Sequence, residues 1–500
     1  MTPHALLVGA VLIPLATGLI TALASRKREL QRVLAFVGGA AYFLSSYFLL
    51  DHVIDFGKIR LGIGGYSLPF AIEFAADGLS ALMVMITALV LLLTLIFQES
   101  DADPAPMSRS FYPLLFLLIA GVAGSFITAD LFNLYVFFEI MLLAGLGLLA
   151  HGGTLASFDA TIKYFVLNAV GTAFFLFAIG LIYASTGHLN FTALTLASEL
   201  PGGGESLAIV LLLAGGFLVK AGAFPVFSWL PASYPTLPVP VLALFAGLLT
   251  KVGVYALLRF LVDVFPLTPS LTYELLGHLA SVTMIVGAVG AIYHYDMRRI
   301  LAFHIVSQVG YMLLAIALGT KAAFAGAVFY TLHHILAKTN LFLVSATVAK
   351  LTGYFDLRRT GGLYGSHPWL GVLFLIPALA MVGVPPLSGF WAKFIVLREG
   401  LEGMHYLWVS AAVITGFLTL YSMMKIWFEA FLKRRPGALF RPDPNLNLAP
   451  AYVAITIFSA CTVLIGLFPE ALLTIIERAI DTLAIIGGEV PNPYDGGLAP

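Results

Sequence analysis

The chain has 500 residues, of which 60% are hydrophobic and only 10% charged, with a mean hydropathy of +0.98. That composition excludes an ordinary soluble protein and predicts an integral membrane protein. Its 26 basic and 26 acidic residues balance, leaving no surface field for nucleic acid, and a single cysteine, Cys461, excludes a disulfide framework or a cysteine-ligated cluster built by this chain alone.

Apolar runs of about 20 residues, the length that spans a bilayer as a helix, recur fourteen times. They fall near 5–24, 32–50, 77–98, 111–129, 131–150, 162–185, 206–228, 239–260, 272–292, 299–318, 323–349, 369–399, 405–431 and 449–468. The fold class expected is therefore an all-α polytopic membrane protein with about fourteen transmembrane helices. The first run lacks a basic leader and a cleavage site, so it is expected to be a retained helix. Basic residues in alternate connections number fifteen against six, counting from Arg26 through Arg434, Arg435 and Arg441. The richer set belongs in the cytoplasm, which puts both termini outside and leaves 487–500 as a tail.

Two spans are interrupted. The seventh runs into Ala221-Gly222-Ala223-Phe224-Pro225, and the twelfth contains Gly383-Val384-Pro385-Pro386-Leu387-Ser388-Gly389. Proline removes a backbone donor and clashes with the preceding turn, so both helices should break, as helices do where transporters bind ions. The breaks lie five spans apart, an odd number, so two five-helix units containing them would be inverted: spans four to eight over 111–262 and nine to thirteen over 270–432. Spans one to three (1–110) precede them and a fourteenth (445–486) follows.

The chemistry-bearing residues are charges inside apolar runs. A charge at bilayer depth costs about 2.5–3.5 kcal/mol on insertion scales and marks ion or proton paths. Glu139 is central in the fifth span, too short to snorkel, and needs a cation nearby to stay ionised; Lys220, equally central in the seventh, is the best partner. Lys251 is central in the eighth span, and a lysine in low dielectric can take and give protons. In Tyr330-Thr-Leu-His333-His334-Ile-Leu-Ala-Lys338, His334 and Lys338 stand four apart on one helix face, with an imidazole that titrates near neutrality. His304, beside Ser307 and Gln308, adds hydrogen-bonding groups to the tenth span. Lys393 follows the double proline toward the outer end of its span. Lys425, which has Glu429 one turn on, suits a structural ion pair as well as a functional site. Arg259 and Lys350, at helix ends, read as snorkelling anchors. No phosphate-cradling loop is present, so energy must come from an ion gradient or a partner.

Fourteen spans, a glutamate on the fifth, lysines on the broken seventh and on the eighth, His-His-x-x-x-Lys on the eleventh and Gly-x-Pro-Pro-x-x-Gly-Phe on the twelfth resemble the antiporter-like family. That family comprises proton-pumping membrane subunits of respiratory complex I, related subunits of membrane-bound hydrogenases, and large subunits of Mrp-type multisubunit Na+/H+ antiporters. Ala243–Leu257, His304–Tyr311 and Pro385–Lys393 are similar to the family's D-type Mrp subunits. The resemblance implies a coupling pair (Glu139, Lys220), a central relay (Lys251, His334, Lys338) and a terminal site (Lys393), with His304, His333 and Lys425 secondary. It implies transport of H+ coupled to Na+ export, no cofactor, and a complex with a large A subunit and small hydrophobic subunits in a bacterial cytoplasmic membrane. A membrane-arm subunit of a redox complex is the alternative that the residues leave open.

Overall fold

The computed structural model describes residues 2–66, 71–100, 109–196, 204–265, 270–434 and 446–483; Arg435, Arg441 and the tail at 487–500 lie outside them. In chain order the helices are α1 (Pro3–Leu23), α2 (Arg28–Phe56), α3 (Gly78–Gln98), α4 (Phe111–Ile127), α5 (Leu131–Ala150), α6 (Leu155–Thr186), the short α7 (Phe191–Leu196), α8 (Gly204–Ala221), the short α9 (Trp229–Ser233) and α10 (Val239–Val264). There follow α11 (Ser270–Tyr293), α12 (Met297–Ala317), α13 (Lys321–Thr352), α14 (Pro368–Val382), α15 (Ser388–Glu402), α16 (Tyr406–Leu432), α17 (Ala449–Leu467) and α18 (Pro469–Leu483). Among the described residues, eleven helices are long and apolar enough to cross a membrane, and three shorter apolar helices, Phe111–Ile127, Ser206–Ala221 and Pro368–Val382, accompany them.

Helix boundaries follow local chemistry. Asp77 accepts from the Ser80 amide at 3.0 Å, Asp130 from Asn133 at 2.8 Å and Thr320 from Ala323 at 3.0 Å, each satisfying an amide that the first turn leaves free. The sequence pattern does not announce an antiparallel hairpin, β1 (Ile59–Ile63) with β2 (Ile72–Ala76), that stands between α2 and α3. Nor does it separate α18 from the last span: Pro469 opens a new helix after Leu467, since proline suits a first helical turn but not an interior.

Burial sorts the helices. Every residue of the most apolar stretch of α10 is buried, as are 94% of that in α12 and 89% in α13, against 33% in α2 and α6. Helices α10, α12 and α13 are thus the centre of the bundle, and the outer helices turn an apolar face outward as membrane helices do.

The two interruptions are one backbone motif occurring twice. Helix α8 ends at Gly222 (φ 74°) and α14 at Gly383 (φ 97°), a left-handed conformation that glycine adopts without steric cost. At both, the glycine amide reaches back three residues (to Val219 and Ala380 carbonyls), the next amide reaches five (to Leu218 and Leu379), and the amide four after the glycine donates to the residue just past it (Val226 to Ala223, Leu387 to Val384). A proline stands three residues after each glycine, at Pro225 and Pro386, and the Phe224–Pro225 and Pro385–Pro386 bonds are cis.

Among the described residues there are three π-helical turns: Phe245–Leu249 inside α10, Phe260–Val264 at its end and Trp427–Leu432 at the end of α16. Such turns concentrate at functional positions.

Candidate functional site: a row of buried basic groups

Lys220 is the penultimate residue of α8, next to the break, and is only 3% exposed. Its Nζ stands 5.6 Å from the centroid of the Phe138 ring and has no hydrogen-bond partner. Glu139, adjacent to Phe138 on α5, is half-buried and accepts a 2.8 Å hydrogen bond from Thr172 Oγ1 on α6. Glu139 is the carboxylate near enough to act electrostatically on Lys220, yet the two are not hydrogen-bonded. The pair stands open, with the carboxylate held on the α6 side.

Lys251 lies fully buried on α10. Its Nζ donates to the Ala246 carbonyl at 2.5 Å, inside the π turn Phe245–Leu249. Two residues on, Gly253 lets α10 pack against the end of α8: a Cβ there would fall 2.5 Å from the Ala221 amide nitrogen, too close for any side chain. This contact brings the helix of Lys251 against the break that follows Lys220.

On α13, His334 and Lys338 are both fully buried, and neither ring nitrogen of His334 nor Nζ of Lys338 has a hydrogen-bond partner. Lys251 and Lys338 are the cations close enough to act on His334 most strongly. His333, one residue back, faces another way: its Nδ1 is 2.8 Å from Ser388 Oγ at the start of α15, directly after the second break. Lys393 and Lys338 are the cations that act on it electrostatically. His304 on α12 is fully buried, with Nε2 2.7 Å from Ser422 Oγ on α16 and Nδ1 unpartnered.

Lys393, 7% exposed, donates to the Val382 carbonyl at 3.0 Å and stands 4.7 Å from the Tyr311 ring centroid. Val382 ends α14, so the break frees a carbonyl and Lys393 takes it up. Lys393 and Tyr311 line a cavity of about 300 Å³ between α15 and α16, walled by Phe390, Phe394, Phe417 and Leu420. Tyr311 stacks on Tyr330 (5.3 Å between centroids), and the Tyr330 hydroxyl donates to Gln308 Oε1.

Two expectations need correction. Lys425 does not pair with Glu429: its Nζ donates to the Ile292 and His294 carbonyls at 2.9 and 2.7 Å and lies over the Tyr295 ring, while Glu429 pairs with Lys433 at 2.7 Å. It therefore caps the end of α11, whose last carbonyls have no partner within the helix. Arg259 is not a snorkelling anchor. It is 7% exposed and pairs with Asp77 at 2.6 Å and Asp263 at 3.2 Å. Lys350 fits its helix-end reading better, being half-buried, with Nζ bonded to Ser100 Oγ and 4.6 Å from the Phe97 ring centroid.

Sequence reasoning missed the neutral partners, namely Thr172, Ser388, Ser422, Tyr311 and Tyr330. Hydroxyls are cheap at membrane depth, so unlike charges they do not stand out in an apolar run. Among the described residues no group of three or more His, Cys, Asp or Glu side chains is arranged to hold a metal ion.

Comparison with known proteins agrees with this architecture. The chain is 37% identical over 461 residues (92% of this chain, 93% of the other) to the D-type subunit of the Na(+)/H(+) antiporter of Alkalihalophilus pseudofirmus. It is 34% identical over 475 residues (95% and 96%) to the protein of the same name from Bacillus subtilis. Its structure superposes on a chain of the Mrp complex from Dietzia sp. DQ12-45-1b with a TM-score of 0.89 at 29% identity, covering 99% of this chain and 100% of that one. A chain of respiratory complex I from Thermus thermophilus gives 0.83 at 26% identity, covering 95% and 98%. Residues 128–419 match the family described as NADH:quinone oxidoreductase/Mrp antiporter, TM, so a bundle with two identical helix breaks around a row of buried basic groups belongs to that family.

Proposed function

We propose that this chain is the D-type subunit of a Mrp-type Na+/H+ antiporter and moves protons along its buried basic groups. The observation that carries the reading is the set of unpartnered polar atoms in the protein's centre: Lys220 Nζ, Lys338 Nζ and both ring nitrogens of His334. Buried polar groups are almost always hydrogen-bonded, and a charged group at bilayer depth is costly. Groups kept there without a protein partner suit the exchange of protons with water that enters and leaves.

The order of transfer follows from which charges lie near one another. Lys220 belongs with Glu139, Lys251 with Lys338, His334 with both of these lysines, and His304 and His333 with both Lys338 and Lys393. When Glu139 swings from Thr172 to Lys220, the closed pair favours the charged lysine. When it swings back, the ammonium loses its counter-ion and passes its proton toward Lys251 and Lys338. Lys393, beside the second break and its cavity, is the terminal site. This is ion transport by a gradient-driven subunit, not enzyme catalysis, and it requires no cofactor.

The repeated break motif supports the fourteen-span layout, with spans four to eight (111–262) and nine to thirteen (270–432) as inverted units, spans one to three ahead of them (1–110) and the last span within 445–486. Counting α8–α9 and α14–α15 as one broken span each, the eleven long apolar helices and α4 make up fourteen. In this reading both termini lie outside a bacterial cytoplasmic membrane, the orientation that the excess of basic residues in alternate loops favours. A cysteine at Arg434 should accordingly react with an impermeant thiol reagent only from the cytoplasmic face; labelling from outside in intact cells would refute the orientation.

Partners in this reading are the large A subunit and small hydrophobic subunits. The functional test is sodium-dependent proton flux in everted vesicles from an antiporter-deficient strain. The full set of subunits should restore exchange, and this chain alone should insert without exchanging. Exchange by the purified chain in liposomes would refute the need for partners. The likeness to a complex I chain keeps a redox-driven pump as the second reading, and co-purification with flavin and iron–sulfur subunits would favour it over the first.

A further inference from the structure

Helix α10 carries Lys251, Tyr255, Arg259 and Asp263 at successive four-residue steps, so all four lie along one face. They run from the centre of the bundle to the end of the helix beside the β1–β2 hairpin. The proton path uses only the first.

The other three form a closed network with groups from neighbouring segments. Arg259 Nη2 donates to Asp77 Oδ1 at 2.6 Å, Nη1 to Asp263 Oδ2 at 3.2 Å and Nε to the Tyr255 hydroxyl at 3.0 Å. That hydroxyl in turn donates to the Phe126 carbonyl near the end of α4 at 2.6 Å. Asp77 also accepts from the Ser80 amide and hydroxyl, both at 3.0 Å. The Asp263 carbonyl accepts from Thr195 Oγ1 at 2.9 Å. Lys58, just ahead of β1, is the second cation acting on both carboxylates. Two cations face two carboxylates, Tyr255 and Arg259 are 6% and 7% exposed, and Asp77 is 2% exposed.

We propose that this network is a proton seal, which closes the extracytoplasmic end of the α10 path so that Lys251 exchanges protons only with the relay. The inference rests on the orientation given above. A water wire needs groups free to pass hydrogen bonds along it, and here the phenol and the Asp77 carboxylate are both tied to the guanidinium, and the phenol's own proton goes to a backbone carbonyl. A guanidinium, charged at every accessible pH, also repels a hydronium ion approaching along the same line. The comparable pair at the far end of α16, Glu429 with Lys433, has side chains 30% and 37% exposed, and it is tied to no such network. It seals nothing.

The test uses the complete complex in a background with Cys461→Ser, the native cysteine being only partly buried. Two quantities are read without sodium: the decay of an imposed pH gradient across vesicles, and the reactivity of Tyr255→Cys with an impermeant thiol reagent. Asp77→Asn should speed the decay several-fold. Combined with Tyr255→Cys, it should make that thiol reactive from the outer side faster than Tyr255→Cys alone. Glu429→Gln should leave the decay unchanged. If Asp77→Asn prevents assembly, Asp263→Asn, which removes only the more exposed carboxylate, carries the same expectation. Assembled Asp77→Asn or Asp263→Asn complexes that hold the gradient as wild type does, with no gain in thiol reactivity, would reduce the network to a structural clamp. Because the leak is read without exchange, failure of the antiport reading would not imitate this outcome. A thiol that reacted only from the cytoplasmic side would overturn the orientation and leave the leak result standing.

Discussion

Gly222–Pro225 and Gly383–Pro386 are the same four-residue break with three hydrogen bonds in common, yet the lysine beside each is held differently. Lys393 lies after its break and uses the carbonyl that the break sets free, at 3.0 Å, next to a cavity of about 300 Å³. Lys220 lies before its break and makes no such bond; the residue that matches Val382 is Ala221, and the side-chain donor at this break, Trp229 Nε1, reaches the Val219 carbonyl at 3.1 Å instead. That carbonyl already accepts from the Gly222 amide, and the lysine is left without a hydrogen-bond partner. One motif thus makes a fixed ammonium at one site and an uncommitted one at the other. An uncommitted lysine with a carboxylate nearby has two arrangements available, which a coupling device requires.

The comparison breaks most severely at the groups between the two sites. Lys338→Ala should lower sodium-dependent proton flux in vesicles by about a hundredfold or more, the scale on which positioned proton-transfer groups act. Flux equal to wild type would return this face of α13 to a packing role. Glu139→Gln should leave an assembled complex with most exchange lost, since the amide keeps the shape but supplies no counter-charge; full salt resistance in cells would remove Glu139 from the mechanism. Thr172→Val sharpens the point. It deletes the hydrogen bond that holds Glu139 away from Lys220, worth about 1.5–3 kcal/mol to a charged acceptor, so the pair should close and exchange should fall by about tenfold with Glu139 intact. Undiminished exchange would mean that the Thr172 contact does not set the pair's position. The smallest effect belongs to Lys425→Met, which removes bonds to two carbonyls of the α11 end. It should reduce the thermal stability of the complex, by about 1.5–3 kcal/mol for each bond from a charged donor that is lost, and leave turnover per assembled complex near wild type. A loss of turnover as large as that of Lys338→Ala would move Lys425 into the path.

The helices were legible because a span of apolar residues has few alternatives, and the two breaks because Gly and Pro act locally. The β1–β2 hairpin was not, as Ile59–Ile63 and Ile72–Ala76 are too short to register against such apolar neighbours. Helix α18 is not legible as a span because it is amphipathic, whereas a membrane span is apolar over its whole length. Charges in mid-helix were visible one by one, but their partners were not. Asp77 lies 182 residues from Arg259, and nothing local announces the pair. Glu429 has a lysine four residues away on either side, Lys425 and Lys433, and spacing alone offers no choice between them. Tertiary packing made it, by presenting the free carbonyls of α11 to Lys425.

The π turn at Phe245–Leu249 has a bearing on how this chain can change over evolutionary time. It accommodates one more residue than an α-helical turn would, and its Ala246 carbonyl accepts from the Lys251 ammonium. Deleting any one residue of the turn would let α10 relax to a regular helix. Lys251, Tyr255, Arg259 and Asp263 would keep their facing relative to Val239–Leu244, because the turn holds its extra residue as a bulge, but the Ala246 carbonyl would return to regular helical bonding and the Lys251 ammonium would lose its acceptor. Most substitutions in Phe245–Leu249 leave the backbone carbonyls in place, but a single-codon deletion there would remove the acceptor that holds Lys251. Variants of this chain that retain function should therefore show substitutions in that turn and no change in its length.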